Sequence, residues 1–420
     1  MKLTENKAFL HEAQETMDRI TAENSRLTEL KWFLDVAMSR FNVDSLFRKK
    51  PRIIVIGNDI PAELLYAVCS RPFYVLGGSL GTAHWANELT PRDTDPFSCS
   101  SLGWLINPAF DITENALIVT AVSSDSRRKM VSVLRDSGRD VAALDIPPDA
   151  KAANAIAYYT DQLITLAKKI GKYTGKRLTG RRLRRALKIT SRTHRMRQEL
   201  LLAADRADGF ITDEAVMLVN QCMYFADDLA EWTAHTSRLC MELKSLSGRF
   251  AYPKKDRPDV LLLGSPAVFP NYKVPQLISS SGMRITTVAD SLSLEADLTI
   301  PKDIWRLPSD RLLEHIAQLH LWTTSSGASV SNEGLYSYFN YLNKRYRPDG
   351  IVCHILKGQI EYDFELPRIE KAAEKAGIPV FRLETDYQYQ DMEQLRIRME
   401  AFGEMLTQRR LTARSNRMTA

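Results

Sequence analysis

The C-terminal part of the chain alternates strand and helix patterns, and this order restricts the fold more than any other feature. Gly350–Leu356 and Ile378–Glu384 are apolar and rich in β-branched residues, as buried strands are. A helix pattern around Leu366–Ala376 separates them, and a second helix is predicted to begin at Thr385. This order predicts parallel strands, and parallel sheets bind ligands beyond the carboxyl ends of their strands.

The composition is that of an ordinary globular protein. The chain has 420 residues, of which 44% are hydrophobic and 26% charged, and this length is enough for two or three domains. Because no stretch of about 18 consecutive apolar residues occurs, we expect no membrane span. Residues 1–7 are mostly polar and are not typical of a secretory signal.

The cysteines are scattered and include no Cys-x-x-Cys pair. They are Cys69, Cys99, Cys222, Cys240 and Cys353. An odd number without a pairing pattern predicts reduced thiols, so we expect a cytoplasmic protein.

Two segments of the chain open with the same pattern. Arg52–Gly57 and Asp259–Gly264 are apolar strands that end in glycine, and each precedes a loop with a proline and then a helix. We expect an α/β fold with two Rossmann- or flavodoxin-like parallel-sheet domains, an N-terminal helical arm and a helical middle segment. The predicted segments are the arm 1–48, the first α/β domain 49–148, the helical segment 149–250, and the second α/β domain with its C-terminal helix 251–420.

A series of short motifs also runs along the chain. It comprises Ile60–Ala67, Ser124–Met130, His354–Lys357, Tyr362–Pro367, Gly377–Pro379, Glu384–Asp386 and Glu393–Phe402. Each motif is short, but their order resembles the 2-hydroxyacyl-CoA dehydratase and benzoyl-CoA reductase family, in particular the D-component of 2-hydroxyglutaryl-CoA dehydratase. The likeness spans about residues 50–407.

The resemblance implies partners and a cofactor. Members of this family form dimers of related subunits, and each subunit typically holds a [4Fe–4S] cluster with three separated cysteines. An ATP-dependent iron–sulfur activator protein supplies an electron for the radical dehydration or reduction of an acyl-CoA. The implied partners of this chain are therefore a cluster-bearing paralogous subunit, such an activator, and an acyl-CoA ligand.

The three cysteine positions of the family are altered in this chain. The resemblance places them at Asp95, Ser124 and Gln359, and Cys99 is close enough to the first that a shifted loop would use it. Iron–sulfur clusters need thiolates, and one cysteine cannot hold such a cluster alone. We therefore expect a divergent subunit without a metal or cofactor of its own, with the [4Fe–4S] cluster in the partner subunit. Cys99 remains as the candidate thiolate, or it is a free thiol near the start of a helix.

The resemblance also suggests substrate-binding positions. They are Asn58 or Asp59, the Gly77–Gly78 pair and Lys357, which would neutralise a thioester oxyanion or a phosphate. The glycine pair looks like that of the partner type of subunit, although a tight turn alone explains two glycines. Since all of these follow predicted strands, we expect them to line one crevice together with Ser124, Asp125 and Gln359. The alternative is a polar remnant filled with water.

Two other features have two interpretations each. Glu63 is either a pocket acid or a residue that complements a helix dipole. The cations in 172–197 would attract CoA phosphates, an acidic activator protein or nucleic acid, or they form a solvated helix face. We favour the solvated face, and the absence of interleaved aromatic residues argues against single-stranded nucleic acid.

These observations predict a subunit of a lyase or oxidoreductase that acts on acyl-CoA. We expect the partner or scaffold subunit of a dehydratase- or reductase-type complex rather than the cluster-bearing catalytic subunit. The alternative is a cluster-free binding protein for an acyl-CoA or another anionic ligand.

Overall fold

The computed structural model describes residues 2–42, 50–107, 112–249, 256–296, 301–323, 329–330 and 332–418 of the chain. The predicted boundaries at 48/49 and 250/251 fall outside these residues, and the division into four segments stays a prediction. The described part is built from two parallel sheets and many helices.

The first sheet has four parallel strands in the order β2-β1-β3-β4. They are β1 (Ile53–Ile56), β2 (Phe73–Val75), β3 (Leu117–Val122) and β4 (Val141–Asp145). Every residue of the first three strands is buried, which explains their unbroken apolar sequence.

The second sheet repeats this topology, with the order β6-β5-β7-β8. Its strands are β5 (Asp259–Gly264), β6 (Arg284–Asp290), β7 (Gly350–Leu356) and β8 (Val380–Thr385). The identical order confirms the predicted α/β fold with two parallel-sheet halves. In each half the strand order reverses between the first and third strands, the place where open α/β sheets bind ligands.

Helices surround both sheets and fill the segment between them. In chain order they are α1 (Lys2–Glu23), α2 (Leu30–Ser39), α3 (Ala62–Val68), α4 (Leu80–Ala86), α5 (Pro96–Ile106), α6 (Asp125–Asp136), α7 (Ala155–Thr174), α8 (Gly180–Arg206), α9 (Asp213–Phe225), α10 (Leu229–Arg249), α11 (Lys273–Ser280), α12 (Ser291–Ala296), α13 (Ser309–Thr323), α14 (Glu333–Tyr346), α15 (Ile360–Lys375) and α16 (Met392–Met418), with a 3₁₀-helix at Lys302–Arg306. Among these described helices, none is both long and apolar enough to cross a membrane.

Two helices of the second half begin at residues other than those predicted. Helix α15 begins at Ile360, six residues before the predicted start, and it continues through Pro367. Acidic residues in its first turn favour this earlier start, because they complement the helix dipole. Helix α16 begins at Met392 and not at Thr385, because Thr385 still belongs to β8 and its hydroxyl donates a hydrogen bond to Asp391 at 2.8 Å.

The N-terminal arm packs against the rest of the protein. The predicted apolar face of α2 is buried, including Phe33 and Leu34. Thr16 in α1 donates a hydrogen bond to the carbonyl of Pro270 at 2.9 Å, and Arg19 forms an ion pair with Glu214 at 2.7 Å. These contacts join the arm to α9 and to the second half of the chain.

A buried ion pair ties α3 to α8 and α13. Glu63 accepts hydrogen bonds from the Thr190 hydroxyl at 2.8 Å and from His320 Nε2 at 3.1 Å. Burial alone would raise the pKa of Glu63, but the hydrogen bond and the charge of His320 outweigh burial and lower the pKa to about 2. Neither sequence interpretation of Glu63 included this pair.

The Gly77–Gly78 turn after β2 lies directly against the second half. Gly78 has a φ of +91°, and its carbonyl accepts a hydrogen bond from the backbone N–H of Asn271 at 3.1 Å. A Cβ atom on Gly78 would lie 2.6 Å from the carbonyl oxygen of Phe269 and 2.8 Å from that of Val268. Glycine at this position therefore allows the two backbones to touch.

We expect Gly78→Ala to destabilise the protein by about 3 kcal/mol or more, since a positive φ and a backbone clash act together. Gly138→Ala is the matched control, because Gly138 has a φ of +74° and open space around its Cβ position. It should cost only about 1 kcal/mol. Denaturant unfolding of both variants measures the difference, and equal losses would show that the contact with residues 268–269 contributes nothing.

Candidate functional site

A small polar cavity lies where the strand ends of the two halves face each other. Its volume is about 70 Å³. Asp59 and Ser124 reach it from the ends of β1 and β3, and Asp95 from the start of α5. Gln359 and Glu361 reach it from the end of β7 and the start of α15. Four predicted positions, Asp59, Asp95, Ser124 and Gln359, therefore share one cavity, while their roles as ligands stay predictions.

The side chain of Gln359 bridges the two halves across this cavity. Its amide nitrogen donates to Asp95 Oδ1 at 3.2 Å, and its oxygen accepts a hydrogen bond from the Ser265 hydroxyl at 2.6 Å. Asp95 also accepts from the backbone N–H of Ser98 at 2.9 Å and so caps α5. Ser265 accepts from the backbone N–H of Leu356 at 2.8 Å. Both ends of the amide are thus fixed.

Arg127 is a cavity residue that the sequence reasoning missed as a site residue. Its buried guanidinium donates to the carbonyl of Ile56 at 3.0 Å and lies 3.9 Å from Asp59 Oδ2. Ser124, three residues earlier, caps the same helix by accepting from the Arg127 N–H at 3.3 Å. Its position in the sequence could have identified it, because Arg127 lies one helical turn after Ser124, which was already assigned to the end of β3.

One wall of the cavity, formed by α15 and the start of α14, is acidic. The sequence did not identify its residues Glu361, Glu365 and Asn332 as site residues. Burial, together with the charges of Asp95 and Asp125, raises the pKa of Glu361. Glu365 accepts hydrogen bonds from the Tyr336 hydroxyl and from Asn332 Nδ2, the latter at 2.6 Å. The Oδ1 atom of Asn332 is buried and has no partner in the described chain. A water or a ligand with a donor group would satisfy it.

The cavity does not fit an iron–sulfur cluster. The three positions that the resemblance relates to cluster ligands carry a carboxylate, a hydroxyl and an amide, whereas iron–sulfur clusters are held by thiolates. All five cysteines are described and buried, and none of them lines the cavity. Within the described residues, no group of three or more His, Cys, Asp or Glu side chains is arranged to hold a metal ion.

Cys99 lies on a different surface from the three altered positions. It is in α5, and its Sγ atom is 3.6 Å from the Thr94 carbonyl and 3.6 Å from the Thr90 hydroxyl. Burial raises the pKa of this thiol, which makes it a poor thiolate donor. Cys99 lines a separate open groove of about 650 Å³ between α1, α4 and the ends of β7 and β8.

Lys357 also lies in this groove rather than in the cavity. Its ammonium forms an ion pair with Asp386 at 2.9 Å, and this hydrogen bond raises the pKa of Lys357. The groove also contains Arg92, Trp85 and Tyr389. Its volume is that of an ordinary ligand site, whereas the cavity is far smaller than the roughly 300 Å³ lower limit for drug-sized ligands.

The other predicted site residues have structural contacts. Asn58 is buried, and its amide donates to the carbonyl of Ser291 at 3.0 Å. Gly77 and Gly78 lie against protein backbone, and Asp125 is exposed in the first turn of α6. The expectation that one crevice contains all of these residues is therefore wrong. Asn58, Gly77, Gly78 and Asp125 do not line the cavity. Lys357 lines the groove instead.

Comparisons with known proteins cover most of the chain. The family model described as 2-hydroxyglutaryl-CoA dehydratase, D-component, matches residues 58–406. The chain is 22% identical over 354 residues to the (R)-phenyllactyl-CoA dehydratase beta subunit of Clostridium sporogenes, covering 82% of this chain and 89% of that protein. It is also 22% identical over 355 residues to the putative dehydratase subunit YjiM of Escherichia coli (strain K12), covering 83% and 89%.

We expect Glu361→Gln to stabilise the protein at pH 7. The folded protein raises the pKa of this carboxyl group above its unfolded value, so ionisation costs stability as the pH rises through that range. The variant removes this cost, and its advantage should vanish below about pH 4, where the wild-type carboxyl is protonated in both states. Melting temperatures between pH 3 and pH 8 measure the effect.

Glu374→Gln, at an exposed position of the same helix, is the control and should leave the melting temperature unchanged at every pH. A gain for Glu361→Gln that is constant over the whole pH range would contradict the assigned cause.

Proposed function

The chain belongs to the 2-hydroxyglutaryl-CoA dehydratase D-component family, and we propose that it is a partner subunit without an iron–sulfur cluster of its own. In this role it pairs with a paralogous subunit that carries the [4Fe–4S] cluster, and an ATP-dependent activator delivers electrons to that subunit. The complex acts on an acyl-CoA. Its proposed location is the cytoplasm, because five free thiols suit a reducing compartment.

One observation carries this proposal. Asp95, Ser124 and Gln359, which resemble the family's cysteine positions, line the same cavity and none of them supplies sulfur. Oxygen and amide groups are poor ligands for iron–sulfur clusters, which need soft thiolates. Gln359 and Asp95 also bond to each other, so these groups serve as structural partners.

The polar bridge also suggests how such a subunit keeps its shape. The amide of Gln359 connects α5 of the first half to the loop after β5 in the second half. It holds the strand ends of both halves face to face, an arrangement that a shared cluster would otherwise support. A subunit that has lost its cluster can therefore still present a formed surface to a catalytic partner.

The open groove supports a second candidate function, a binding protein for an acyl-CoA or another anionic ligand. Arg92 lines the groove without an ion pair among the described residues, whereas Glu12, Glu15, Asp93 and Asp386 add negative charge there, so a phosphate would have to bind at Arg92. Trp85 and Tyr389 offer aromatic surface beside it. A nucleotide-bearing ligand needs both features, a cation for phosphate and a flat apolar surface for the base.

Restoring the thiolates tests the first proposal. After anaerobic reconstitution with iron and sulfide, the wild-type chain should contain less than one iron per chain. The variant Asp95→Cys/Ser124→Cys/Gln359→Cys should approach about four irons with the absorbance of a [4Fe–4S] cluster. The control Ser132→Cys/Ser245→Cys/Ser337→Cys has three exposed positions on separate helices and should stay at the wild-type level.

About four irons in the wild-type chain would refute the cluster-free role. Failure of the triple-cysteine variant to gain iron, in a chain that still folds by circular dichroism, would refute the assignment of the cavity to the family's cluster position. Co-purification with a three-cysteine relative from the same genome then tests the partner role directly, and no complex at micromolar concentrations counts against it.

Titration calorimetry with CoA tests the second candidate. If the groove binds this ligand, Arg92→Glu should weaken binding by roughly tenfold or more, because a charge-assisted hydrogen bond becomes a repulsion. Lys371→Glu, which makes the same charge change on the exposed surface of α15, should bind like wild type. Absence of heat with the wild-type chain at two well-separated temperatures would rule out CoA as a ligand of the groove.

A further inference from the structure

A long segment of the chain contains many basic residues and no acidic residue. Residues 162–198 contain thirteen Lys and Arg and no Asp or Glu, although the whole chain has a net charge of only +6. The remainder of the chain is therefore net negative. Most of these cations lie on α8 or on the turn before it.

The structure separates these cations into two groups with different surroundings. Some of them serve the fold, such as Arg197, which is buried, and Arg184, which donates to the carbonyl of Leu307. Nine of the thirteen are exposed, and we name the five of these that share one face of α8 the basic stripe. The basic stripe consists of Arg181, Arg185, Lys188, Arg192 and Arg195.

The basic stripe follows one line along the helix. Its members are separated by four, three, four and three residues, so they share one face and extend over about 21 Å. The opposite face, with residues such as Leu183 and Leu187, is buried against the protein. Among the described side chains, no carboxylate forms an ion pair with any member of the stripe.

We propose that the basic stripe is a docking surface for an acidic helix of another protein. Cations at this spacing repel one another, and no ion pair within the described chain offsets that repulsion. A helix with carboxylates at the same alternating spacing, laid alongside α8, would pair with the cations in register. Leu202, which is 43% exposed, lies seven residues beyond Arg195 and adds an apolar contact on the same line.

The geometry favours a helix over other polyanions. The phosphates of a nucleic acid duplex would attract the same cations, so the test below compares duplex DNA with the peptide directly. No Phe, Tyr or Trp occurs between Arg181 and Arg206, and His194 is buried, so a single strand would find no stacking surface on this helix. A helix that binds an anionic membrane inserts an exposed apolar face into it, but the apolar face of α8 is buried. The proposal holds whether or not the cavity carries a cluster.

Binding of designed peptides to the full chain tests the proposal. The probe is a labelled helical peptide of about 18 residues with glutamates at alternating four- and three-residue spacing and a leucine beyond one end. A scrambled peptide of the same composition is its control. We expect the patterned peptide to bind roughly tenfold more tightly than the scrambled one in fluorescence anisotropy, and its affinity to fall as salt is raised.

Charge-reversed proteins provide the second arm. Arg185→Glu/Lys188→Glu/Arg192→Glu should weaken binding of the patterned peptide by roughly tenfold or more. The control Lys244→Glu/Lys371→Glu/Lys375→Glu has the same net charge but changes exposed residues elsewhere, and it should bind within about twofold of wild type. Both variants should keep the wild-type circular dichroism spectrum, since all six side chains are exposed.

Three results would overturn the proposal. One is equal binding of the patterned and scrambled peptides to the wild-type protein, a comparison that needs no variant. Another is an equal loss of affinity in both charge-reversed proteins. The third is tighter binding of duplex DNA, or of phosphatidylserine vesicles, than of the patterned peptide at the same salt concentration.

Discussion

The two halves of the molecule depend on one constraint, which is that both sheets must point their strand ends at each other. Identical strand orders place the switch point of each sheet at this junction. The backbone contact at Gly78 and the amide bridge of Gln359 hold the junction from two sides.

Oxygen and amide groups, and no thiol, line the cavity at the junction. Asp95, Ser124 and Gln359 each form hydrogen bonds that a cysteine at the same position could not form as well. Asp95 and Ser124 also cap helices, and each cap adds local stabilisation. The cavity is thus a formed part of the protein interior, and the larger groove beside it is the part with room for a ligand.

Local pattern in the sequence was enough to find the sheets. Strands such as Gly350–Leu356 match the predicted bounds because a buried parallel strand has an unbroken apolar sequence. Helix starts were harder, since α15 begins at Ile360, six residues before the predicted Leu366. The motifs correctly predicted that Ser124 and Gln359 lie at one cavity. The side of α5 on which Cys99 lies depends on how that helix is rotated, and no local sequence pattern reveals this rotation.

The uneven distribution of charge gives the molecule an electrical polarity. Thirteen cations lie in one segment and the remainder of the chain is net negative, so positive charge is concentrated on and around α8. Such a molecule turns in the field of a charged partner before the two surfaces touch, and its productive encounters become more frequent at low ionic strength. Orientation during approach is therefore a property of this fold in its own right, separate from the strength of any final contact.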